Sequence, residues 1–126
     1  MSGSPIELQQ ATPVLRIFDV DKAKEFYVGF LGFKLDWEHR FGDNFPLYAQ
    51  VSRSGVLLHL SEHHGDGSPG AAVTTSGVLS LRRELAAKQY RYYKPGAADT
   101  AENRGSLTVL DPFGNKLIFR EPGSGP

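Results

Sequence analysis

No cysteine occurs among the 126 residues. Disulfides, thiolate nucleophiles and cysteine-ligated zinc are thereby excluded. A surplus of one charge sign is missing as well, since 14 Lys and Arg offset 14 Asp and Glu. A net charge of zero, with no Lys/Arg run, supplies no field for nucleic acid or an anionic membrane surface, and neither is expected as a partner. No apolar stretch approaches the roughly 20 residues that a membrane span requires. The opening MSGSPIELQQ has neither the cationic start nor the apolar centre of a secretion signal, so a cytoplasmic location is expected. Glycine-rich phosphate loops are absent, and no Ser stands in a nucleophile-elbow context.

What remains is an ordinary globular composition, 40% hydrophobic and 22% charged, enough for one domain over 1–126 with a modest core. Thr12 to Phe18 is a β-rich run. Asp19 can cap a helix carrying Val20, Ala23, Phe26, Tyr27, Phe30 and Leu31, and Gly32 supplies the left-handed residue that ends it. Lys34 to Phe41 alternates, with Leu35, Trp37, His39 and Phe41 on one side and Lys34, Asp36, Glu38 and Arg40 on the other. Strands over Leu47–Ser52 and Val56–Ser61 follow, separated by Ser54-Gly55.

His63 to Gly70 is loop by composition. Beyond it the order repeats: a short strand Ala71–Thr74, a helix capped by Ser76 with Val78, Leu81, Leu85 and Ala86 on one face, and strands over Arg91–Lys94, Ser106–Leu110 and Lys116–Arg120. Asp111-Pro112-Phe113-Gly114-Asn115 forms the last turn. The fold class is therefore α+β, two βαβββ modules at about 11–62 and 71–121. Each is an open sheet with one helix on one face, so the other face must be covered or must enclose a pocket.

Three stretches carry a family resemblance: ATPVLRIFDVDKAKEFYVGFLGFKLDW, LHLSEH and DPFGNKLIFRE. Over roughly residues 11 to 121 the chain resembles the glyoxalase/bleomycin-resistance, or vicinal-oxygen-chelate, superfamily, and the bleomycin-resistance proteins in particular. The resemblance implies cupped mixed sheets and a homodimer with shared or swapped elements. Metal-using relatives place four ligands on the inner sheet faces. Matched motif by motif, these positions fall on Thr12, His59, Ala71 and Ile118. One imidazole cannot hold an ion that takes three or four protein ligands, so no metal, no other cofactor and no catalytic residue are expected.

The same matching turns Arg16, Tyr48, Gln50 and His59 toward the cavity. Trp37, Phe41 and Phe45 flank Asp36, Glu38 and Asp43, an arrangement able to hold a planar cationic ligand by stacking beside carboxylates. The alternative for these residues is an ordinary amphipathic strand with dimer-interface aromatics. Two histidine motifs are weaker. His59-Leu60-Ser61-Glu62-His63 matches H-x-x-E-H, but that zinc motif needs a helix, and four strand residues span roughly 13 Å. His63-His64-Gly65-Asp66-Gly67 reads as a solvated loop.

The expected function is sequestration of a bleomycin-type glycopeptide, or another polar aromatic compound, by a protein that is not an enzyme. The alternatives are a metal-dependent lyase, isomerase or thiol transferase, or a binder of another metabolite.

Overall fold

The computed structural model describes residues 5–91 and 105–123. Seven strands and two helices are formed among them, in two mixed sheets. The first sheet holds β1 (Val14–Arg16), β2 (Lys34–Arg40), β3 (Leu47–Arg53) and β4 (Val56–Ser61), in the order β1-β4-β3-β2. Helix α1 (Val20–Lys24) connects β1 to β2. The second sheet has β5 (Gly70–Thr74), β6 (Ser106–Leu110) and β7 (Lys116–Arg120), in the order β5-β7-β6, with helix α2 (Val78–Ala87) after β5. The expected strand Arg91–Lys94 runs outside the described residues after a turn at Arg91. Among the described residues, no helix is long and apolar enough to cross a membrane.

The α+β architecture follows the residue pattern closely, and the departures have local causes. Strand β1 is shorter than Thr12–Phe18. Pro13 has no donor for the ladder, although its carbonyl still accepts from His59 N at 2.9 Å. Asp19 caps α1 by accepting from Lys22 N at 2.9 Å. The helix then widens into a π-helical stretch over Glu25–Phe30, closed where Leu31 N reaches back to Phe26 O at 2.8 Å. This turns Phe26, Tyr27, Phe30 and Leu31 inward together. Gly32, at φ 76°, ends the segment as its sequence position suggests.

Helix α2 departs from expectation twice. Its N-cap is Gly77, not Ser76, and no side chain of its own caps it. The Glu121 carboxylate, 43 residues away, accepts from Val78 N at 2.7 Å and Gly77 N at 3.2 Å. Ala86 is exposed; Arg82 is buried with Val78 and Leu85 and donates to Ser106 O at 2.9 Å. The guanidinium reaches a strand carbonyl that a methyl could not satisfy.

The helix-facing sides of both sheets share one core. Leu15, Ile17, Val51, Leu58 and Leu60 of the first pack in the same cluster as Val78, Leu85, Leu107, Val109 and Leu117 of the second. The DPFGN turn joins the two at a buried polar point. Asp111 Oδ1 accepts from Phe113 N at 2.9 Å and Asn115 N at 2.7 Å. Its Oδ2 accepts from Tyr27 OH at 2.6 Å and Asn115 Nδ2 at 2.7 Å. Asn115 Nδ2 also donates to Arg16 O at 2.8 Å, tying the last hairpin to β1. Burial, then the Asp111 charge, pushes the Tyr27 phenol far up. Gly70 opposes Lys116 so closely that a Cβ there would lie 2.0 Å from Lys116 O.

Candidate functional site

With one face of the first sheet in the core, its other face is open. Strands β3 and β4 alternate regularly, so Leu47, Ala49, Val51, Leu58 and Leu60 go inward. Tyr48, Gln50, Ser52, Leu57 and His59 then belong to the open face. Strand β2 does not alternate regularly. Leu35 pairs with Val51, yet Trp37 pairs with Gln50, so Asp36 is an extra residue in a bulge. Leu35 lies on the core side, whereas Asp36, Trp37 and His39 all turn to the open face. Glu38 and Arg40 go to the other side, and Glu38 pairs with Lys24 at 3.0 Å.

The open face carries a hydrogen-bonded row whose direction can be assigned. Asp36 Oδ2 accepts from Gln50 Nε2 at 3.0 Å, and Asp36 Oδ1 accepts from Ser52 Oγ at 3.0 Å. An ionised carboxylate only accepts, which fixes the Gln50 amide with Oε1 toward His59. His59 Nε2, 3.0 Å from that oxygen, must donate. When the ring is neutral, its Nδ1 accepts from Tyr48 OH at 2.8 Å. The donated bonds, Gln50 first, hold the Asp36 carboxyl below the usual carboxylate range. Burial lowers the His59 pKa, which favours the neutral ring.

Aromatic rings lie over the row. Trp37 stacks on Tyr48, with centroids 6.1 Å apart and planes 14° apart, and meets His59 edge-on at 5.4 Å. Beside them is a cavity of about 480 Å³ lined by Trp37, His39, Phe41, Tyr48, His63 and Asp66. Phe41 packs edge-on against His39 at 4.6 Å and His63 at 6.0 Å. Asp66 reaches the cavity because Ser61 Oγ donates to its Oδ2 at 2.8 Å, anchoring the 62–69 loop. Burial and then the Asp66 charge raise the Tyr48 phenol. A second cavity of about 580 Å³ lies between the β3–β4 turn and the start of α2. Its charged residues, Arg53 and Glu84, bind each other at 2.9 and 3.0 Å.

The structure brings together six of the residues singled out in the sequence: Asp36, Trp37, Phe41, Tyr48, Gln50 and His59. It places four elsewhere. Arg16 pairs with Ser61 and so belongs to the open face, as expected, but its guanidinium turns away to lie 4.7 Å over the Phe18 ring. Glu38 faces α1. Asp43 is exposed on the β2–β3 turn, where the Phe45 ring folds over Gly42. Four members of the group were not anticipated. His39 and Ser52 could have been read from strand parity with Trp37 and Gln50. His63 and Asp66 sit on a loop with no periodicity to read.

The glyoxalase-type ligand positions do not assemble a donor set. His59 uses both ring nitrogens in the row described. Ala71 pairs with Leu117 on the core side, so the open-face partner of Ile118 is Ala72 rather than the matched Ala71. Neither alanine carries a donor. Among the described residues, no three His, Asp or Glu side chains are grouped to hold a metal ion.

A family model described as glyoxalase superfamily protein matches residues 2–125. No curated protein matches the chain by sequence. Among solved structures, the bleomycin-binding protein from bleomycin-producing Streptomyces verticillus, complexed with copper(II)-bleomycin, is 29% identical. The match covers 93% of this chain and 98% of that one, with a TM-score of 0.61. The bleomycin resistance determinant encoded on transposon Tn5 is 17% identical, covering 93% and 100%, with a TM-score of 0.62. The trypanothione-dependent glyoxalase I of Leishmania major is 16% identical, covering 91% and 87%, with a TM-score of 0.66.

Proposed function

The chain belongs to the glyoxalase superfamily, and within it we propose a cytoplasmic small-molecule-binding protein that sequesters a bleomycin-type glycopeptide without altering it. The observation that carries this reading is the open-face aromatic group, Trp37 stacked on Tyr48 beside a cavity of about 480 Å³. A flat heteroaromatic portion of such a ligand needs an aromatic face, and stacking contributes about 0.5–1.5 kcal/mol per pair beyond area burial. The 29% identity to a protein complexed with copper(II)-bleomycin supports the same assignment. The donor chemistry at Thr12, His59, Ala72 and Ile118 disfavours the metal-dependent lyase, isomerase or transferase alternative. Sequestration needs no general base, and both His59 ring nitrogens are engaged, by a phenol and by an amide.

A homodimer fits this reading. The open face exposes Trp37 at 42% and Phe41 at 71%. A second copy related by two-fold symmetry would cover them and complete a groove. The segment before Pro13 exposes Ile6 and Leu8 and would cross to the partner. Light scattering at micromolar protein should return twice the chain mass, and a monomer mass would count against the dimer.

The central test is calorimetric titration with metal-free and copper-loaded bleomycin, followed by recovery of the drug. Binding with a change in Trp37 fluorescence and unchanged recovered drug supports sequestration. No heat and no fluorescence change at saturating drug would refute it, and recovered drug of altered mass would point to an enzyme.

A further inference from the structure

We infer that the cavity beside Trp37 is a subsite for an alkylated ammonium head, held by ring faces and the Asp66 carboxylate. The inference rests on the open face being a ligand-binding surface, and it names the chemistry of one part of the ligand. Five ring-bearing side chains, Trp37, His39, Phe41, Tyr48 and His63, and one carboxylate, Asp66, make the lining. The rings do not lie in one plane. Trp37 and Tyr48 are nearly parallel, at 14°, but His63 is tilted 59° to Tyr48 and 79° to Phe41. The rings therefore surround one volume at several inclinations, and a cation within it is attracted by those whose faces it meets.

The carboxylate is fixed before any ligand arrives. Ser61, fully buried, donates to Asp66 Oδ2 at 2.8 Å, and its hydroxyl also accepts from His63 N at 3.0 Å. One buried serine thus positions both the acid and an imidazole of the lining. The other acids near the rings are engaged or turned away. Asp36 takes hydrogen bonds from Gln50 and Ser52, Glu38 pairs with Lys24, and Glu62 Oε1 accepts from Leu47 N at 2.9 Å. Asp66 is the carboxylate that faces this volume, and its charge already reaches the Tyr48 hydroxyl.

Alkylation matters for a physical reason. A primary ammonium has three N–H donors and free ammonium four, and either loses their water on entry. One carboxylate among ring faces does not replace three acceptors. An alkylated head has few or no such donors to leave unsatisfied, presents methyl groups to the rings, and keeps its charge for Asp66 and the π faces.

The probes are choline, ammonium chloride and 3,3-dimethylbutan-1-ol, the uncharged isostere of choline, titrated at constant ionic strength. Trp37 fluorescence and ring-proton chemical shifts are the readouts. Choline should bind at least about tenfold more tightly than the neutral isostere and than ammonium. Asp66→Asn keeps the acceptor for Ser61 but removes the charge, and Phe41→Leu removes an exposed ring. Each should weaken choline by about three- to tenfold. Equal binding of choline and its isostere, or no perturbation by choline at any concentration, would overturn the proposal. Titration of the same samples with bleomycin separates the two readings. Drug binding without choline binding refutes the subsite alone; choline binding without drug binding refutes the glycopeptide assignment and leaves the subsite standing.

Discussion

Replacing Tyr27 with Phe should destabilise the protein by about 2 kcal/mol, chiefly by removing one hydrogen bond to a buried carboxylate. Tyr27 is fully buried and Asp111 is 6% exposed, so water cannot readily take the place of the lost hydroxyl. A bond to a charged acceptor is worth about 1.5–3 kcal/mol. Three donors remain on Asp111, from Phe113 N, Asn115 N and Asn115 Nδ2, which keeps the cost from the top of that range. The ring itself is retained, so no large cavity adds to it. For a domain of this length the loss corresponds to a Tm lower by roughly 7–8 °C. Urea unfolding of wild type and Tyr27→Phe at one fixed protein concentration measures it.

A pH series supplies a second, independent number. The folded phenol is raised above its unfolded value of 10.0. Folding therefore favours the protonated form. That contribution is complete below pH 10 and is lost as the pH rises above it toward the folded value. At pH 11 the unfolded wild-type chain gains about 1.4 kcal/mol by ionising this tyrosine, and the Phe variant gains nothing. The gap between the two proteins should shrink to about 0.6 kcal/mol. A difference below about 0.5 kcal/mol at pH 8 would refute the assigned hydrogen bond, and a gap unchanged between pH 8 and 11 would refute its linkage to the phenol proton.

Gln50→Glu places a carboxylate where Oε1 now accepts from His59 Nε2 at 3.0 Å, and should raise the His59 pKa above that of wild type; NMR titration of the imidazole checks this, with no upward movement counting against the assigned row. In wild type, burial depresses His59, so its contribution is complete above pH 6.5 and is lost as the pH falls through the folded value; the variant should lose less stability on acidification over that range. Gly70→Ala should cost several kcal/mol, on the order of 3 or more, because a Cβ 2.0 Å from Lys116 O forces β5 and β7 apart; thermal unfolding within a few degrees of wild type would contradict the register.

Hydrophobic alternation carried most of the fold into view. Strands β4, β6 and β7 begin and end where their residue patterns predict, because each is bounded by turn residues and has one buried face. Helix α2 shows where local signals stop: its cap comes from Glu121, and no window around Ser76 contains that residue. The same limit applies to the site. Tyr48, Gln50 and His59 could be assigned to one face because β3 and β4 alternate without interruption. Glu38 could not be excluded from it, since strict alternation groups it with Asp36 and only a bulge separates them. Asp66 was hidden for a different reason. Its place depends on a hydrogen bond from Ser61 across a glycine-rich loop, where no repeat constrains direction.

The bulge at Asp36 also bears on how this surface could change over evolutionary time. From Trp37 to Arg40 the pairing with β3 continues as though Asp36 were not there: Leu35 opposite Val51 would lead directly to Trp37 opposite Gln50. Loss of this single codon would leave every downstream partner in place and every core residue of the strand inward. It would nonetheless remove the carboxylate that orients Gln50 and, through it, the His59 proton. A one-residue deletion, usually ruinous in a strand with one buried face, is here a route for altering the polarity of the ligand surface while the scaffold is conserved.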